Sequence, residues 1–266
     1  MTDLEKLIDT NKHYGGLLPN QGCSYCGKGD MMVIGSVSTS EMVRQVVACK
    51  HCRQFMVYDE PLPSGELMLD IITPCSRPEN LRKIYPSILA LEIPVRWHII
   101  MDTAHQNEEM ELFSYDASRV VVELYRDNNP IVSPGRMRNM ALRNIPADYR
   151  RWIYCLDDDN IMHPRAGDVL REAVANTPLW AFLVSCETEN GVLETGPEVM
   201  GVGKVDMAQL FVNSCLLCGP GGVYFSEWGR EEDGVLITKL SILHKSRMGF
   251  VKEVVAYHDG LRSIYD

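Results

Sequence analysis

Three aspartates stand in a row, Asp157, Asp158 and Asp159, directly behind the apolar run 152–156. Like charges this close repel one another, and aspartate is a poor strand former. A cluster of this kind suits the holding of a hard divalent cation, Mg2+ or Mn2+, by carboxylate oxygens. Such an ion can bridge a diphosphate. A solvated acidic loop, or a helix N-cap run before Pro164, stays open as the plainer alternative. A second acidic group, Glu231, Glu232 and Asp233, precedes an amphipathic helical pattern, where carboxylates also cap the helix dipole. His258 follows a last apolar run and is either structural or a ligand.

The cysteines carry a different chemistry. Cys23 and Cys26 form one C-x-x-C pair, Cys49 and Cys52 another, with 22 residues between them. Two such knuckles make a tetrahedral four-sulfur site that suits structural Zn2+. Two β-rich runs lie between the pairs, which is the pattern of a zinc ribbon. The odd total of nine cysteines disfavours a disulfide framework. Cys75, Cys155 and Cys186 sit in apolar surroundings and are expected to be buried, while Cys215 and Cys218 are core or loop residues. The ribbon is either a staple for a module too small to build its own core or a recognition module. Lys28, Arg44, Lys50, His51 and Arg53 make it more basic than the rest of the chain.

The elements that must position these groups follow from pattern. Residues 2–14 read as a short helix, with Thr2 and Glu5 at capping-box spacing. Pro61, Pro63 and Gly65 mark a linker, which divides the chain into a helix-and-ribbon module, 1–62, and a larger domain, 63–266. From residue 67 strands and helices alternate: strands over 67–74, 95–102, 119–126, 151–157 and 179–187, helices over 78–91, 107–116, 135–145 and 164–176. This alternation predicts an α/β domain with a mostly parallel, Rossmann-like sheet and helices on both faces. Ligands of such sheets sit at the carboxyl ends of the strands. The three aspartates end one strand there. Thr73, Pro74 and Arg77 end another, and Asp102 a third, each a contact for a bound nucleotide.

In this order, these residues resemble the GT-A fold of nucleotide-sugar glycosyltransferases over about residues 67–260. The stretch "ITPCSRPENL" looks like the first-strand loop that contacts base and ribose. "LDDDN" looks like the Asp-x-Asp motif, which implies Asp157 near the ribose or metal and Asp159 on the metal; Asp158 either joins the nucleotide contacts or spaces its neighbours. "REEDG" resembles the motif whose last acid is the catalytic base of inverting members, which maps onto Asp233, with Glu232 on the acceptor or orienting the helix. His258 falls where the family often has a metal-binding histidine, and "SPGRMRNMAL" resembles a segment beside the nucleotide, giving Gly135, Arg138 and Asn139. The resemblance implies a UDP-sugar donor, a catalytic Mn2+ or Mg2+, and single displacement with inversion.

Composition bounds the partners. A net charge of -10 argues against an unspecific polyanion binder. No apolar run approaches the ~18 residues of a membrane span, and the acidic N-terminus lacks a secretory pattern, so a cytoplasmic enzyme is expected. A zinc ribbon joined to such an enzyme is similar to phage DNA glycosyltransferases acting on hydroxymethylated cytosine, which makes DNA the first acceptor to consider. A polysaccharide, lipid or protein acceptor stays open. So do a nucleotidyltransferase, although "TPCSRPEN" is poor in glycine for a triphosphate loop, and a non-catalytic zinc-ribbon binding protein.

Overall fold

The computed structural model describes residues 31–38, 42–49, 55–61, 66–101, 120–126, 133–176, 179–199, 205–219, 222–226, 232–244, 247–258 and 261, the first three segments as backbone alone. The helix expected over 2–14, the helix over 107–116, Asp102, Glu231, Cys23, Cys26 and Cys52 lie outside the described residues.

The N-terminal segments form a three-stranded antiparallel sheet of β1 (Met31–Ser38), β2 (Met42–Cys49) and β3 (Phe55–Pro61), with β2 central. The first two are the β-rich runs between the cysteine pairs, and Cys49 is the last residue of β2. The third was not anticipated.

The larger part follows the alternation closely. Its elements are β4 (Met68–Cys75), α1 (Leu81–Leu89), β5 (Val95–Met101), β6 (Val120–Arg126), α2 (Pro134–Leu142), β7 (Arg151–Cys155), β8 (Ile161–Met162), α3 (Ala166–Asn176), β9 (Ala181–Thr188), β10 (Gly191–Leu193), β11 (Leu210–Asn213), α4 (Ser214–Leu217), α5 (Glu232–His244) and β12 (Met248–Tyr257). The strand order is β6-β5-β4-β7-β11-β9-β12-β8, with β10 paired to β9. Strands β6, β5, β4 and β7 are mutually parallel, and β12 is parallel to β9. Between the two halves β11 runs antiparallel to both β7 and β9. The sheet is therefore mostly parallel, as expected, with a reversed strand at its middle that was not.

Alternate residues of each central strand feed two cores. Leu69, Ile71, Trp97, Trp152 and Tyr154 pack with α1 and α3 on one face. Ile72, Ile100, Ile153 and Cys155 pack with α2 and α5 on the other. Cys75, Cys155 and Cys186 are buried and in no disulfide. Asp70, fully buried on β4, carries a charge into this core and is met by Arg151 at 2.6 Å and His98 at 2.8 Å. Burial raises its pKa, but bonds from His98 and Arg151 outweigh that and hold it below the ordinary carboxylate value.

Local differences have local causes. The helix expected over 78–91 opens as a 3-10 turn, Pro78–Asn80, and then continues as α1 through Pro86. α5 is less amphipathic than its pattern suggested, with Ile242 and Leu243 exposed beyond the packed residues Leu236, Ile237 and Leu240. No helix among the described residues is long and apolar enough to cross a membrane.

Candidate active site

Because β7 lies beside β4 in parallel register, with Cys155 opposite Ile72, the aspartates leave the sheet next to the loop that ends β4. The ladder extends one step further, Leu156 N–H donating to the Ile72 carbonyl at 3.0 Å. There the three acids part. Asp157 turns toward α2, Asp158 turns back to the β4 loop, and Asp159 lies against Arg77.

Asp158 is 2% exposed and heavily engaged. Its Oδ2 accepts from the Ser76 and Arg77 backbone N–H groups at 2.6 and 2.8 Å and from Ser76 Oγ at 3.0 Å. Its Oδ1 accepts from Arg77 Nε and Nη2 at 2.9 and 2.5 Å. The Asp158 carbonyl accepts from Asn80 Nδ2 at 2.9 Å. This carboxylate shapes the first-strand loop from beneath. Asp159 pairs with Arg77 at 2.9 Å, and its carbonyl takes the Leu261 N–H. Thr73 is fully buried and accepts from Trp97 Nε1 at 2.9 Å, so its side chain serves the core and not the crevice. Pro74 is buried as well.

On the other side stands Arg138. α2 begins at Pro134 behind the cap Ser133, and this start aims Arg138 under the strand ends. Its side chain is 2% exposed and donates to Asp157 Oδ1 at 2.7 Å and Asp233 Oδ1 at 2.8 Å, with Glu232 Oε1 at 3.5 Å. It also lies over the Phe225 ring, 5.3 Å from the centroid. Burial works against its charge, but the Asp157 and Asp233 carboxylates outweigh it and keep the guanidinium firmly protonated. Glu232, at the start of α5, also accepts from the Gly135 N–H at 3.1 Å. Asn139 donates to and accepts from the Phe225 backbone, both at 3.1 Å, and so holds the segment 222–226 on α2.

Asp233 is the most perturbed acid of the cluster. Burial raises its pKa to about 6; Arg138 opposes this, and Asp157, Asp206 and Glu232 add to it. Glu232 is raised by burial too. A carboxylate that titrates there is a stronger base than an ordinary one and is still ionised at neutral pH.

Asp206 was not foreseen. It caps the 3-10 turn Met207–Gln209 that leads into β11, accepting from Ala208 N–H at 2.8 Å. Burial and then Asp157 raise its pKa. His258 Nδ1 lies 3.8 Å from Asp206 Oδ1, so among the predicted ligands His258 meets a residue with no motif around it. Spacing alone carried no signal for Asp206, which reaches the site only because β11 is inserted between β7 and β9. Among the described residues no three His, Cys, Asp or Glu side chains gather into a closed metal cage. An open groove of about 430 Å³ beside the cluster is lined by Asn139, Arg143, Tyr224 and Phe225.

This mostly parallel sheet with helices on both faces is a fold that known proteins share. Particular solved structures share it. TarS 1-349 from S. aureus superposes with a TM-score of 0.54 at 14% identity, covering 72% of this chain and 60% of that one. Its complex with UDP-GlcNAc gives 0.53 at 14% identity, with 72% and 58% covered. The mannosyltransferase PcManGT from Pyrobaculum calidifontis, in complex with GDP-Man and Mn2+, gives 0.54 at 16% identity, with 77% and 61% covered. The chain thus spans about 60% of the length of these proteins, and at such identities the likeness is one of fold. No protein-family model matches the sequence, and no curated protein does.

Proposed function

We propose that this chain is a glycosyltransferase that moves a sugar from a UDP-sugar to an acceptor hydroxyl with inversion. The observation that carries this is the buried arginine Arg138, which ties the strand-end acid Asp157 to Asp233 at the start of α5. It brings two acids, 76 residues apart as 233 minus 157, to one crevice where this sheet type binds ligands. The complexes of similar folds with UDP-GlcNAc and with GDP-Man and Mn2+ support a nucleotide-sugar donor.

In this mechanism the Asp233 carboxylate takes the proton of the acceptor hydroxyl. The acceptor oxygen bonds to the anomeric carbon as the bond from that carbon to the diphosphate oxygen breaks, and UDP leaves with the electron pair. Arg138 fixes one oxygen of Asp233 and prevents it from swinging away. Glu232 holds the N-terminus of α2 against α5 through Gly135. Asp158 shapes the loop of Ser76 and Arg77 that faces the donor.

The strand ends offer the Asp159 carboxylate and, 3.8 Å from Asp206, the His258 imidazole; these are donor types that suit a hard dication which takes one or two protein ligands and completes its shell with phosphates. Asp159 and His258 would hold it. When bound, such an ion neutralises charge on the departing diphosphate.

The acceptor we propose is the hydroxyl of a hydroxymethylated base in DNA. Support comes from the N-terminal module: a β1–β2 hairpin between two C-x-x-C pairs suits a zinc ribbon held by Cys23, Cys26, Cys49 and Cys52, and the segment 23–53 carries four Lys/Arg against two Asp/Glu in an acidic chain. Duplex DNA would have to present or flip out that base.

The test is mass analysis of nucleosides from hydroxymethylcytosine DNA incubated with the protein, Mn2+ and a panel of UDP-sugars. A hexose or pentose mass gain, lost with Asp233→Asn, is expected. UDP release without a mass gain would discard the DNA acceptor and keep the enzyme class. Absence of both would discard the class.

A further inference from the structure

The carboxylate assigned to the metal already carries a cation of the protein's own. Arg77 Nη2 lies 2.9 Å from Asp159 Oδ2, and the same guanidinium grips Asp158 through Nε at 2.9 Å and Nη2 at 2.5 Å. Both acids are almost fully buried, at 2% for Asp158 and 3% for Asp159, whereas the Arg77 side chain is 34% exposed. A buried carboxylate without a countercharge is costly. Arg77 supplies that countercharge here.

We propose that Arg77 is an internal cation that occupies Asp159, competes with the divalent ion for it, and is drawn off by the donor diphosphate. This inference rests on the donor-site reading above and adds an order to it: metal and nucleotide bind together, because neither alone resolves the charges.

The physical sequence is simple. A dication that approaches Asp159 on its own meets the positive guanidinium at close range, and the repulsion weakens its binding. A diphosphate offers that guanidinium a new charge-assisted acceptor. The Asp158 clamp, together with the Arg77 backbone N–H on the same carboxylate, keeps the arginine within reach while its Nη2 changes partner. Only a forked side chain can hold one carboxylate and serve a second acceptor at once, so lysine is a poor replacement. Arg77 thereby acts as a positioning residue for the donor and as a brake on metal binding in its absence.

The experiment measures Mn2+ binding by electron paramagnetic resonance of the free ion, on the full chain, with and without UDP. Asp159→Asn identifies the site as the fraction of binding it removes. Arg77→Gln should raise the Mn2+ affinity of the nucleotide-free chain about tenfold and weaken UDP binding in Mn2+ by a similar factor, in the usual range for coupled sites. Arg77→Lys should shift both in the same directions and by less. A folded Arg77→Gln chain that binds Mn2+ equally or more weakly without UDP overturns the proposal, and leaves Arg77 as a brace for the loop. If Arg77→Gln does not fold, an unchanged Mn2+ affinity in Arg77→Lys overturns it alone. A wild-type chain that binds UDP but shows no Asp159-dependent Mn2+ site, in any variant, also overturns it while the donor site stands. A wild-type chain that binds neither UDP nor Mn2+ removes the donor-site reading itself.

Discussion

Asp233 and Arg138 carry the sharpest expectations at the scale of single residues. If Asp233 accepts the acceptor proton, Asp233→Asn should lower kcat by ~10²–10⁴-fold, the usual worth of a positioned base. The wild-type pH profile should show an acid limb near pH 6, because burial lifts this carboxyl to about 6 and only the ionised form can accept a proton. The sign for stability is opposite. The folded pKa is above the ordinary 3.8, so the contribution of this group to the fold is complete below 3.8 and is lost as pH climbs through about 6. A profile flat between pH 5 and 8 would rule Asp233 out as the base. Arg138→Met should be worse for the fold, since it strands Asp157, Asp233 and Glu232 around an uncharged side chain. Breaking a buried ion pair from one side costs about 3–5 kcal/mol, which a denaturant titration would register as a lowered midpoint. A midpoint unchanged from wild type would show that the three acids neutralise or find water without it.

Between elements, the contact that matters most for the site is the one between α2 and the segment 222–226. Asn139 brackets the Phe225 backbone, and Gly135 lies so near the Ser226 carbonyl oxygen that a Cβ there would collide with it. The obstacle is backbone and cannot rotate out of the way. Gly135→Ala should therefore push the segment off α2 and destabilise the protein by about 1–3 kcal/mol, as overpacked sites do. A melting temperature within error of wild type would mean that the segment yields freely. The displaced segment carries Phe225, the ring under Arg138, so the same variant should also weaken donor turnover. Glycine is required here for closeness, not for an unusual φ.

The whole molecule divides by chemistry. In the three-stranded sheet β1 and β2 lie between the cysteine pairs and β3 follows the second pair, while the nine-stranded sheet carries two large apolar cores of its own. A module of about sixty residues is near the lower limit at which a core sustains itself, which is why a metal staple is expected for residues 1–62. Elemental analysis should find one zinc per chain, lost in Cys49→Ser. Chelation should unfold this module while the domain from 63 to 266 keeps its melting transition. A single transition lost as a whole on chelation would contradict that division.

How much of this was legible in the chain differs from feature to feature. Alternating apolar runs between residues 67 and 187 are long and regular, and each strand from β4 to β9 except the two-residue β8 was visible, because burial on both faces forces continuous apolar character. The position of Asp157 at a strand end was legible for the same reason: an apolar run stops where the crevice begins. β11 was not, since four residues, Leu210–Asn213, are too few to show a period, and its reversal depends on partners about thirty or sixty residues away. Asp206 came with it. Thr73 and Asp158 look like ligand contacts in a linear reading because both border a strand end, yet one side chain faces Trp97 and the other faces Ser76 and Arg77. Residue type and spacing determined which groups reach the carboxyl edge of the sheet. Which of them meet there, and which turn back to hold the backbone, was decided only by the tertiary structure, because side-chain direction at a strand end is set by the neighbouring strand and helix and not by the run that precedes it.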